Sequence, residues 1–219
     1  MSDHRTAVTG LLPALGLRIT AGPLQLRGLT DSDLAELATV AQRGIHDPDR
    51  MPFEHPWTDV PRDDLPARFA AYHWQTRATW SPGAWSLQLG VWHEGVIVGC
   101  QGFETRSFRT TRSGETGSWL GLEHQGQGLG TAMRQAICAF LFDQLGAEEI
   151  TSAAFLDNPA SLGVSRKVGY RPAGVLRLER RPGELALNQR LVLAPEDFVR
   201  GAHPVEVEGL PAFLGSIGL

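Results

Sequence analysis

Three alternating glycines between a strand pattern and a helix pattern restrict the fold of this chain more than any other feature. Gly126, Gly128 and Gly130 follow the alternating residues 117–122 and precede apolar residues that share one helical face. That face carries Met133, Ile137, Phe140, Leu141 and Leu145. Glycines let backbone N–H groups approach an anion closely, and the start of a helix adds a positive dipole end. The segment therefore predicts a phosphate cradle, with a ligand-free glycine turn as the simpler alternative.

Two common nucleotide loops do not explain these glycines. A Walker loop needs a Lys after its last glycine, and none follows here. The dinucleotide fingerprint G-x-G-x-x-G fails as well, because Thr131 or Met133 stands where its last glycine belongs. The cradle is therefore predicted for a phosphate ligand outside these two classes.

The rest of the chain alternates between short strand and helix patterns. Period-two alternation predicts strands near residues 17–27, 85–92, 96–103, 117–122, 150–156, 175–180 and 185–193. Capping residues and helical spacing predict helices that begin near Thr30, Asp64, the glycine cluster and Asn158. Residues 46–62 hold four prolines and are predicted to be irregular. This order favours an α+β fold, in which helices pack on the faces of one sheet.

Length and composition are typical of one globular domain. The 219 residues are 42% hydrophobic and 20% charged. We expect a loosely ordered N-terminal segment over residues 1–16, a folded domain over residues 17–193 and a C-terminal tail over residues 194–219.

Charge and cysteine use argue against several classes of partner. The formal charge of −4 argues against a general nucleic-acid binder, which usually carries a basic excess. Cys100 and Cys138 lie in apolar runs, so we expect buried thiols in a reducing compartment. No apolar run approaches the ~20 residues that span a bilayer, and no His or Cys spacing is typical of a metal site. The sequence predicts a cytoplasmic protein with no metal, no nucleic-acid partner and no membrane partner.

At the glycine cluster the sequence resembles a known family. The motif Gln125-x-x-Gly128-x-Gly130 is similar to the Q/R-x-x-G-x-G/A pyrophosphate loop of the GNAT N-acyltransferases, and the order of elements is similar over residues 17–193. Within that superfamily the chain resembles the RimJ/RimL branch, the ribosomal-protein N-terminal acetyltransferases and their relatives. The supporting segments are Leu24–Arg27, Gly117–Leu120, Asp157–Ser161 and Lys167–Tyr170. The segments His46–Phe53 and Pro56–Thr58 resemble an actinobacterial subset, some of whose members favour succinyl-CoA.

The resemblance implies a GNAT fold, an α/β sandwich whose mixed, mostly antiparallel sheet has about six or seven strands and about four flanking helices. It implies an acyl-CoA N-acyltransferase domain over residues 17–193. Such a domain transfers an acetyl or succinyl group from acetyl-CoA or succinyl-CoA to a primary amine of a protein N-terminus, a Lys side chain or a small molecule. We expect direct attack on the thioester without an acyl-enzyme, since Cys100 and Cys138 lie away from the motifs.

The resemblance also implies which residues contact CoA. The pyrophosphate is expected on the backbone amides of the glycine loop, and the pantetheine arm is expected beside the end of the preceding strand. Asn158 matches a pantetheine contact, although a helix N-cap is an equally simple role for an Asn. The predicted CoA-binding residues are Trp119, Leu120, Gly121, Leu122, Gln125, Gly126, Gln127, Gly128, Leu129, Gly130, Thr131, Asn158, Ser161 and Ser165.

Acid and base assignments depart from the usual family pattern. Many GNAT enzymes carry a Tyr seven residues after that Asn to protonate the thiolate, and Ser165 stands there instead. Ser161 matches a Ser proposed for this role in RimL-type relatives and is predicted to be the general acid, with a helix-capping hydroxyl as the alternative. Glu104 and Glu179 are the predicted bases and Glu115 is a further candidate. Each of these could instead be a solvated charge, with the proton leaving through water.

The acceptor pocket is expected at the proline-rich segment 46–62, as in the superfamily. The predicted lining residues are His46, Asp47, Asp49, Arg50, His55 and Trp57. Asp47 and Asp49 could attract a cationic amine, and Arg50, Arg106 or Arg109 could receive a succinyl carboxylate. The alternative is that this segment forms a rigid turn with an apolar plug.

Two other functions remain open from the sequence. The missing Tyr leaves room for a non-catalytic acyl-CoA-binding sensor or partner module, and a small-molecule (antibiotic) acetyltransferase is a third reading. Exposed strand edges and the Pro/Gly-rich tail are compatible with a homodimer.

Overall fold

A single nine-stranded sheet organises the chain in the computed structural model, which describes residues 9–219. The strand order is β7-β8-β6-β5-β4-β3-β2-β1-β9. The strands are β1 (Arg18–Ala21), β2 (Leu24–Gly28), β3 (Ala84–His93), β4 (Val96–Arg106), β5 (Ser113–Leu120), β6 (Glu149–Phe155), β7 (Arg171–Arg181), β8 (Glu184–Leu193) and β9 (Glu206–Glu208).

The predicted α+β class and the mostly antiparallel sheet are confirmed. Every described strand pair is antiparallel except β5 with β6. The expected six or seven strands are too few. Gly22, with a φ of +59°, turns residues 17–27 into the hairpin β1–β2. The ninth strand, β9, has only three residues and is too short for an alternation pattern.

The described helices also outnumber the four expected. They are α1 (Asp31–Arg43), α2 (Leu65–Ala78), α3 (Phe108–Thr111), α4 (Leu129–Leu145), α5 (Pro159–Val168) and α6 (Leu210–Ile217). The short α3 lies in a segment that is polar apart from Phe108, whose side chain is buried in the core. The helix α6 lies in the predicted tail.

Local sequence signals set the ends of the long helices. Thr30 and Asp33 form a capping box at the start of α1, in which the Thr30 side chain accepts from the Asp33 amide and the Asp33 side chain accepts from the Thr30 amide. Gly44 ends this helix and Gly169 ends α5. The start of α1 at Thr30 agrees with the position predicted from the sequence.

The sheet separates two hydrophobic clusters. On one face α4 packs Met133, Ile137 and Phe140 into the main core, and we call this the α4 face. On the other face α1 and α2 pack a smaller cluster that includes Leu37 and Phe69, and we call this the α1 face. The irregular segment 46–62 covers part of the α1 face.

Both segments that flank the predicted domain contribute to the fold. Of the N-terminal segment, residues 1–8 lie outside the described part of the chain, and Pro13–Gly16 forms a 3-10 helix with Ala14 and Leu15 buried. In the C-terminal tail, β9 pairs with β1, and Phe213 of α6 is fully buried against Trp85 and Phe140. The predicted boundaries at residues 17 and 193 stay predictions.

Candidate functional site

The sheet opens into a gap between its only described parallel pair. Ser113–Glu115 of β5 pair with Glu149–Thr151 of β6, and the pairing stops there. Thr116 still bonds to β6 through side-chain hydroxyls. Beyond it, Gly117–Leu120 of β5 keeps β4 as its strand neighbour on one side only, while β6 continues to pair with β8. We call this space the strand gap. An unpaired strand edge offers main-chain donors and acceptors to an extended ligand.

The glycine loop lies at the open end of the strand gap. Gly126 and Gly128 have φ values of +75° and +84°, and no atom lies within 4 Å of a Cβ built on either. Gly128 is the N-cap of α4. Among residues 9–219, no protein acceptor takes the amide N–H groups of residues 126–130. This segment is the cradle. Unpaired amides at a helix start bind anionic oxygens well, so the cradle fits a pyrophosphate.

Gln125 fastens the cradle to the rest of the fold. Its side-chain amide donates to the carbonyl of Ile45 at 2.7 Å and to that of Leu120 at 2.9 Å. The Gln127 side chain donates to the carbonyl of Glu123 at 2.9 Å. Both side chains therefore hold the loop, and the backbone amides are what the loop presents to a ligand. The predicted neighbours Leu129, Gly130 and Thr131 form the first turn of α4.

The start of α5 brings the other predicted CoA contacts together. Asn158 accepts the amide of Ser161 at 3.1 Å, so its role as an N-cap is confirmed. Ser165, one turn further along α5, is 1% exposed, and its hydroxyl has no hydrogen-bond partner among residues 9–219. Val164 lies 3.3 Å from a Cβ built on Gly130, so α5 packs directly beside the cradle. The ligand roles of Asn158, Ser161 and Ser165 stay predictions.

The predicted strand-end contacts divide between the two faces. Leu120 is buried in the main core on the α4 face, and Trp119 points to the α1 face. Gly121 and Leu122 lead into a short 3-10 helix, where Gly121 donates to Val98 and Leu122 donates to the carbonyl of Gly44. The end of β5 is thus held from both sides.

An aromatic wall closes the α1 face of the gap. Trp57 of the irregular segment lies 5.8 Å from Trp119 and 5.9 Å from Phe69, between ring centroids. Phe53 lies 5.3 Å from Trp57. His73, buried beside Phe69, has its pKa lowered to about 4 by burial and then by Arg77. This imidazole is therefore neutral at physiological pH.

The other predicted acceptor residues lie on the outer side of segment 46–62. Asp47, Asp49, Arg50 and His55 are exposed. Asp47 accepts the amide of Asp49 at 3.0 Å, which makes a local turn. Met51 is completely buried beneath that turn. Of the predicted lining residues, Trp57 lies in the aromatic wall. The rest of the segment corresponds to the alternative interpretation, a rigid turn over a buried apolar side chain.

Arginines of the β7–β8 hairpin fasten segment 46–62 over the gap. Arg180 donates to Asp157 at 2.8 and 3.0 Å, to the carbonyl of Met51 at 3.4 Å, and to Glu184. Arg181 forms a two-bond pair with Asp59 at 2.6 and 3.0 Å, which lowers the pKa of Asp59. Neither arginine is recognisable as a site residue from the sequence, because each looks like an ordinary charged residue at a hairpin tip.

The three candidate bases have different surroundings. Glu104 accepts from Tyr72 and Ser86, each at 3.2 Å, and makes no ion pair within the described chain. Glu115, directly opposite Glu104 on β5, is paired with Arg190 at 2.6 Å. Glu179 accepts the amide of Gly183 at 2.7 Å in the hairpin turn. Within residues 9–219 neither Glu104 nor Glu179 makes an ion pair. Glu104 differs in being held by two side-chain hydroxyls, whereas Glu179 is held by a backbone amide of its own hairpin turn.

The cysteines are unsuited to a covalent intermediate. Cys100 and Cys138 are buried, and burial raises the pKa of their thiols to about 12 and about 11. A thiol is a weak nucleophile until it is deprotonated. In the part of the chain that the structure describes, no group of three or more His, Cys, Asp or Glu side chains could hold a metal ion. No described helix is long and apolar enough to cross a bilayer.

Several solved structures described as acetyltransferases have a similar fold. The chain is similar to Mycobacterium smegmatis RimJ in complex with a CoA disulfide, with 20% identity, 93% of each chain covered and a TM-score of 0.68. It is similar to RimL, a ribosomal L7/L12 alpha-N-protein acetyltransferase in complex with coenzyme A, with 15% identity, 80% and 95% covered and a TM-score of 0.62. A GNAT-family acetyltransferase from Bacillus anthracis has 17% identity, 82% and 99% covered and a TM-score of 0.64.

The family itself is shown by the sequence match. Residues 24–171 match the acetyltransferase (GNAT) domain family. The chain therefore belongs to the GNAT acetyltransferases, whose enzymes use acetyl-CoA as acyl donor. The fold class and the family resemblance given by the sequence are confirmed.

Proposed function

We propose that this chain transfers an acetyl or succinyl group from acyl-CoA to a primary amine of a protein N-terminus, a Lys side chain or a small molecule. The observation that carries the proposal is the cradle. Its five consecutive amides, residues 126–130, have no acceptor in the described part of the chain and lie beside the unpaired edge of β5. The pyrophosphate of CoA suits those amides, and the pantetheine amides suit the strand edge. This combination favours catalysis or binding with CoA over any other phosphate ligand.

The donor thioester is oriented by α5 and β5 in this proposal. The side-chain oxygen of Asn158 caps α5. Its side-chain NH₂ has no acceptor among the described residues, so it can donate to a pantetheine carbonyl. The amine nitrogen attacks the thioester carbon, the new C–N bond forms, and the C–S bond breaks. The sulfur leaves as a thiolate and must take up a proton. Ser161 is the proposed acid, and the partnerless hydroxyl of Ser165 lines the same stretch of α5.

The acceptor amine enters from the α1 face in this proposal. The aromatic wall of Trp57, Phe69 and Trp119 shields the reacting atoms from water. Glu104 is the proposed anchor and base for the amine, because its charge is uncompensated and Tyr72 and Ser86 hold it in place. The pKa of Tyr72 is raised by burial and by Glu104, so the phenol stays a donor. Glu179 is the weaker candidate, since its carboxylate closes the hairpin turn.

Binding and catalysis are tested separately. We expect thermal stabilisation of the purified chain by CoA, acetyl-CoA or succinyl-CoA and none by NAD; ligand at a hundred times its Kd adds ~2.7 kcal/mol. Release of the CoA thiol is then measured with three kinds of acceptor. They are peptides with a free N-terminus, Lys-containing peptides whose N-terminus is blocked by acetylation, and small amines. Stabilisation without thiol release for any amine would support the sensor alternative, and no stabilisation by any CoA species would reject the proposal.

The matched pair Glu104→Gln and Glu179→Gln tests the base. We expect Glu104→Gln to lower kcat/KM by roughly a hundredfold, within the usual range for a lost general base. Glu179→Gln should leave the chemical step intact and lower thermal stability, because it loosens the hairpin turn. Equal kinetics for the two variants would contradict the role of Glu104.

A further inference from the structure

Arg134 is a buried cation without an anion. It lies in α4, one turn after the cradle, and is 3% exposed. Its two terminal nitrogens donate to the hydroxyls of Ser152 at 3.1 Å and Ser118 at 2.9 Å, and its Nε has no partner. Within residues 9–219 it makes no ion pair. A guanidinium offers five N–H donors, so three of them are unused.

The guanidinium spans the strand gap at its closed end. Ser118 belongs to β5 and Ser152 to β6, and these strands stop pairing at Glu115 and Thr151. Arg134 therefore crosses the gap just beyond the last paired residues. The cradle lies at the other, open end.

The neighbours of Arg134 supply no negative charge. The Tyr170 ring centroid lies 5.8 Å from its guanidinium carbon, and the Tyr170 hydroxyl is 2.8 Å from that of Thr116. Burial raises the pKa values of Tyr170 and Cys138, so both stay neutral. Gln101, opposite Ser118 on β4, has a buried amide oxygen without a partner. The closed end is thus a polar, positively charged region with unused hydrogen-bonding atoms.

Buried charges are normally paired, since an isolated one is costly to remove from water. The position of Arg134 indicates which group of a bound ligand could pair with it. A CoA ester that rests its pyrophosphate on the cradle and its arm along β5 directs its acyl group toward the closed end. An acetyl group ends in a methyl and leaves the charge unpaired. An acyl group with a terminal carboxylate would meet the free donors of the guanidinium.

We infer that Arg134 selects the acyl donor by binding the terminal carboxylate of a dicarboxylic acyl group, as in succinyl-CoA. This inference rests on the proposed function and names its donor class. It differs from the sequence expectation, which placed such a carboxylate at Arg50, Arg106 or Arg109. Arg50 lies on the outer side of segment 46–62, and Arg109 lies against Gly218 on the α4 face.

The wild-type chain gives the first test. Binding constants for CoA, acetyl-CoA, butyryl-CoA and succinyl-CoA are measured by calorimetry, and kcat/KM is measured with one amine. Butyryl is the matched control, because it has the same four carbons without the carboxylate. We expect succinyl-CoA to be preferred over butyryl-CoA by roughly ten- to hundredfold, as for a charged hydrogen-bonded pair. Equal use of the two, or preference for acetyl-CoA, would overturn the inference.

Arg134→Met gives the second test, with Arg112→Met as its control. Arg112 also packs its guanidinium near an aromatic ring, Phe108, but it lies outside the gap. We expect Arg134→Met to abolish the preference for succinyl-CoA over butyryl-CoA, and Arg112→Met to keep it. If Arg134→Met slows every donor equally, Arg134 serves the departing sulfur or the packing, and donor selection is wrong.

The two proposals fail in different ways. CoA itself carries no acyl group, so its binding reports on the cradle and the β5 edge and is independent of any acyl contact with Arg134. Binding of CoA without a preference among acyl groups would reject the inference and keep the proposed function. No binding of any CoA species would reject both. If Arg134→Met does not fold, the wild-type comparison of succinyl with butyryl still decides.

Discussion

The two sides of the strand gap are built in opposite ways. The cradle consists of backbone amides from one continuous segment, and side chains serve it only as fasteners. The aromatic wall and its ion pairs consist of side chains from distant parts of the chain. Arg180 and Met51 are 129 positions apart, and Arg181 and Asp59 are 122 apart. The donor side is therefore local in sequence, whereas the acceptor side exists only after folding.

This difference indicates which side of the strand gap can come to bind a different ligand after a few substitutions. Backbone amides recognise any pyrophosphate and are insensitive to most substitutions. A wall of side chains can take a different amine after a few substitutions, without disturbing the cradle. The following predictions test this separation, from the largest expected effect to the smallest.

Gly128→Val should remove CoA binding. A Cβ at this position enters the open space of the cradle, and two lost charged hydrogen bonds correspond to roughly a thousandfold in Kd. Titration calorimetry with CoA measures the loss.

Gly95→Val is the control for backbone strain. Gly95 has a φ of +82°, close to the +84° of Gly128, and equally open surroundings in the β3–β4 turn. Both variants should lose about 2 kcal/mol of unfolding free energy, since a side chain at positive φ is strained. Loss of CoA binding in both variants would contradict the cradle.

His73 should make the wall side sensitive to acid. Its pKa is about 4 in the fold and near ~6.5 when unfolded, so the unfolded chain binds the proton first. The contribution of His73 to the free energy of unfolding is therefore complete above pH 6.5. It falls by about 3 kcal/mol as the pH is lowered toward 4. Chemical unfolding at several pH values measures the slope.

The variant His73→Phe should flatten that slope between pH 6.5 and 4, because it removes the titrating group. His55→Phe, at an exposed histidine, should keep the wild-type slope. An unchanged slope in His73→Phe would show that the acid sensitivity has another source.

Arg180→Met should loosen segment 46–62. The Arg180 side chain is 10% exposed and ties this segment to Asp157 and the hairpin. We expect the KM for the amine to rise about tenfold, since ~1.4 kcal/mol of positioning is lost, while the Kd for CoA is unchanged. Steady-state kinetics and calorimetry measure the two constants.

Arg200→Met removes an exposed arginine that pairs with Asp143 at 2.7 and 2.8 Å, away from segment 46–62. It should leave the KM for the amine unchanged. Arg200 also lines a cavity that reaches Gly128 and Thr131, so this control applies to the amine side. An Arg180→Met variant with equal losses in amine and CoA affinity would show that the two sides are coupled.

Tyr72→Phe should give the smallest effect. It removes one of the two hydroxyls that hold Glu104, and Ser86 remains. We expect kcat/KM to fall about threefold, as one hydrogen bond of modest net strength is lost. A loss as large as that of Glu104→Gln would assign Tyr72 itself to the reaction.

The parts of the fold that the sequence predicted are those set by local signals. The glycines of the cradle, the Thr30 cap and the Asn158 cap depend on neighbours within a few positions. Strand β9 was not predicted, because three residues are too few to show an alternation pattern. The burial of Arg134 was not predicted for another reason. Arg134 lies beside Met133 and Ile137 in α4, and a charged residue at the border of an apolar face usually faces water. Its burial follows from the packing of α4 against β5 and β6, which only the structure shows.

The pairing of β1 with β9 has a consequence for how this chain is made. Arg18 pairs with Glu208, and Phe213 completes the core beside Trp85. β1 and β9 are about 190 positions apart, so β1 leaves the ribosome long before its partner strand is made. Until then β1 is an open sheet edge, and the core lacks one of its fully buried rings. The domain therefore cannot complete its fold before β9 and α6 have left the ribosome, and a chain truncated before β9 keeps an open edge that favours aggregation.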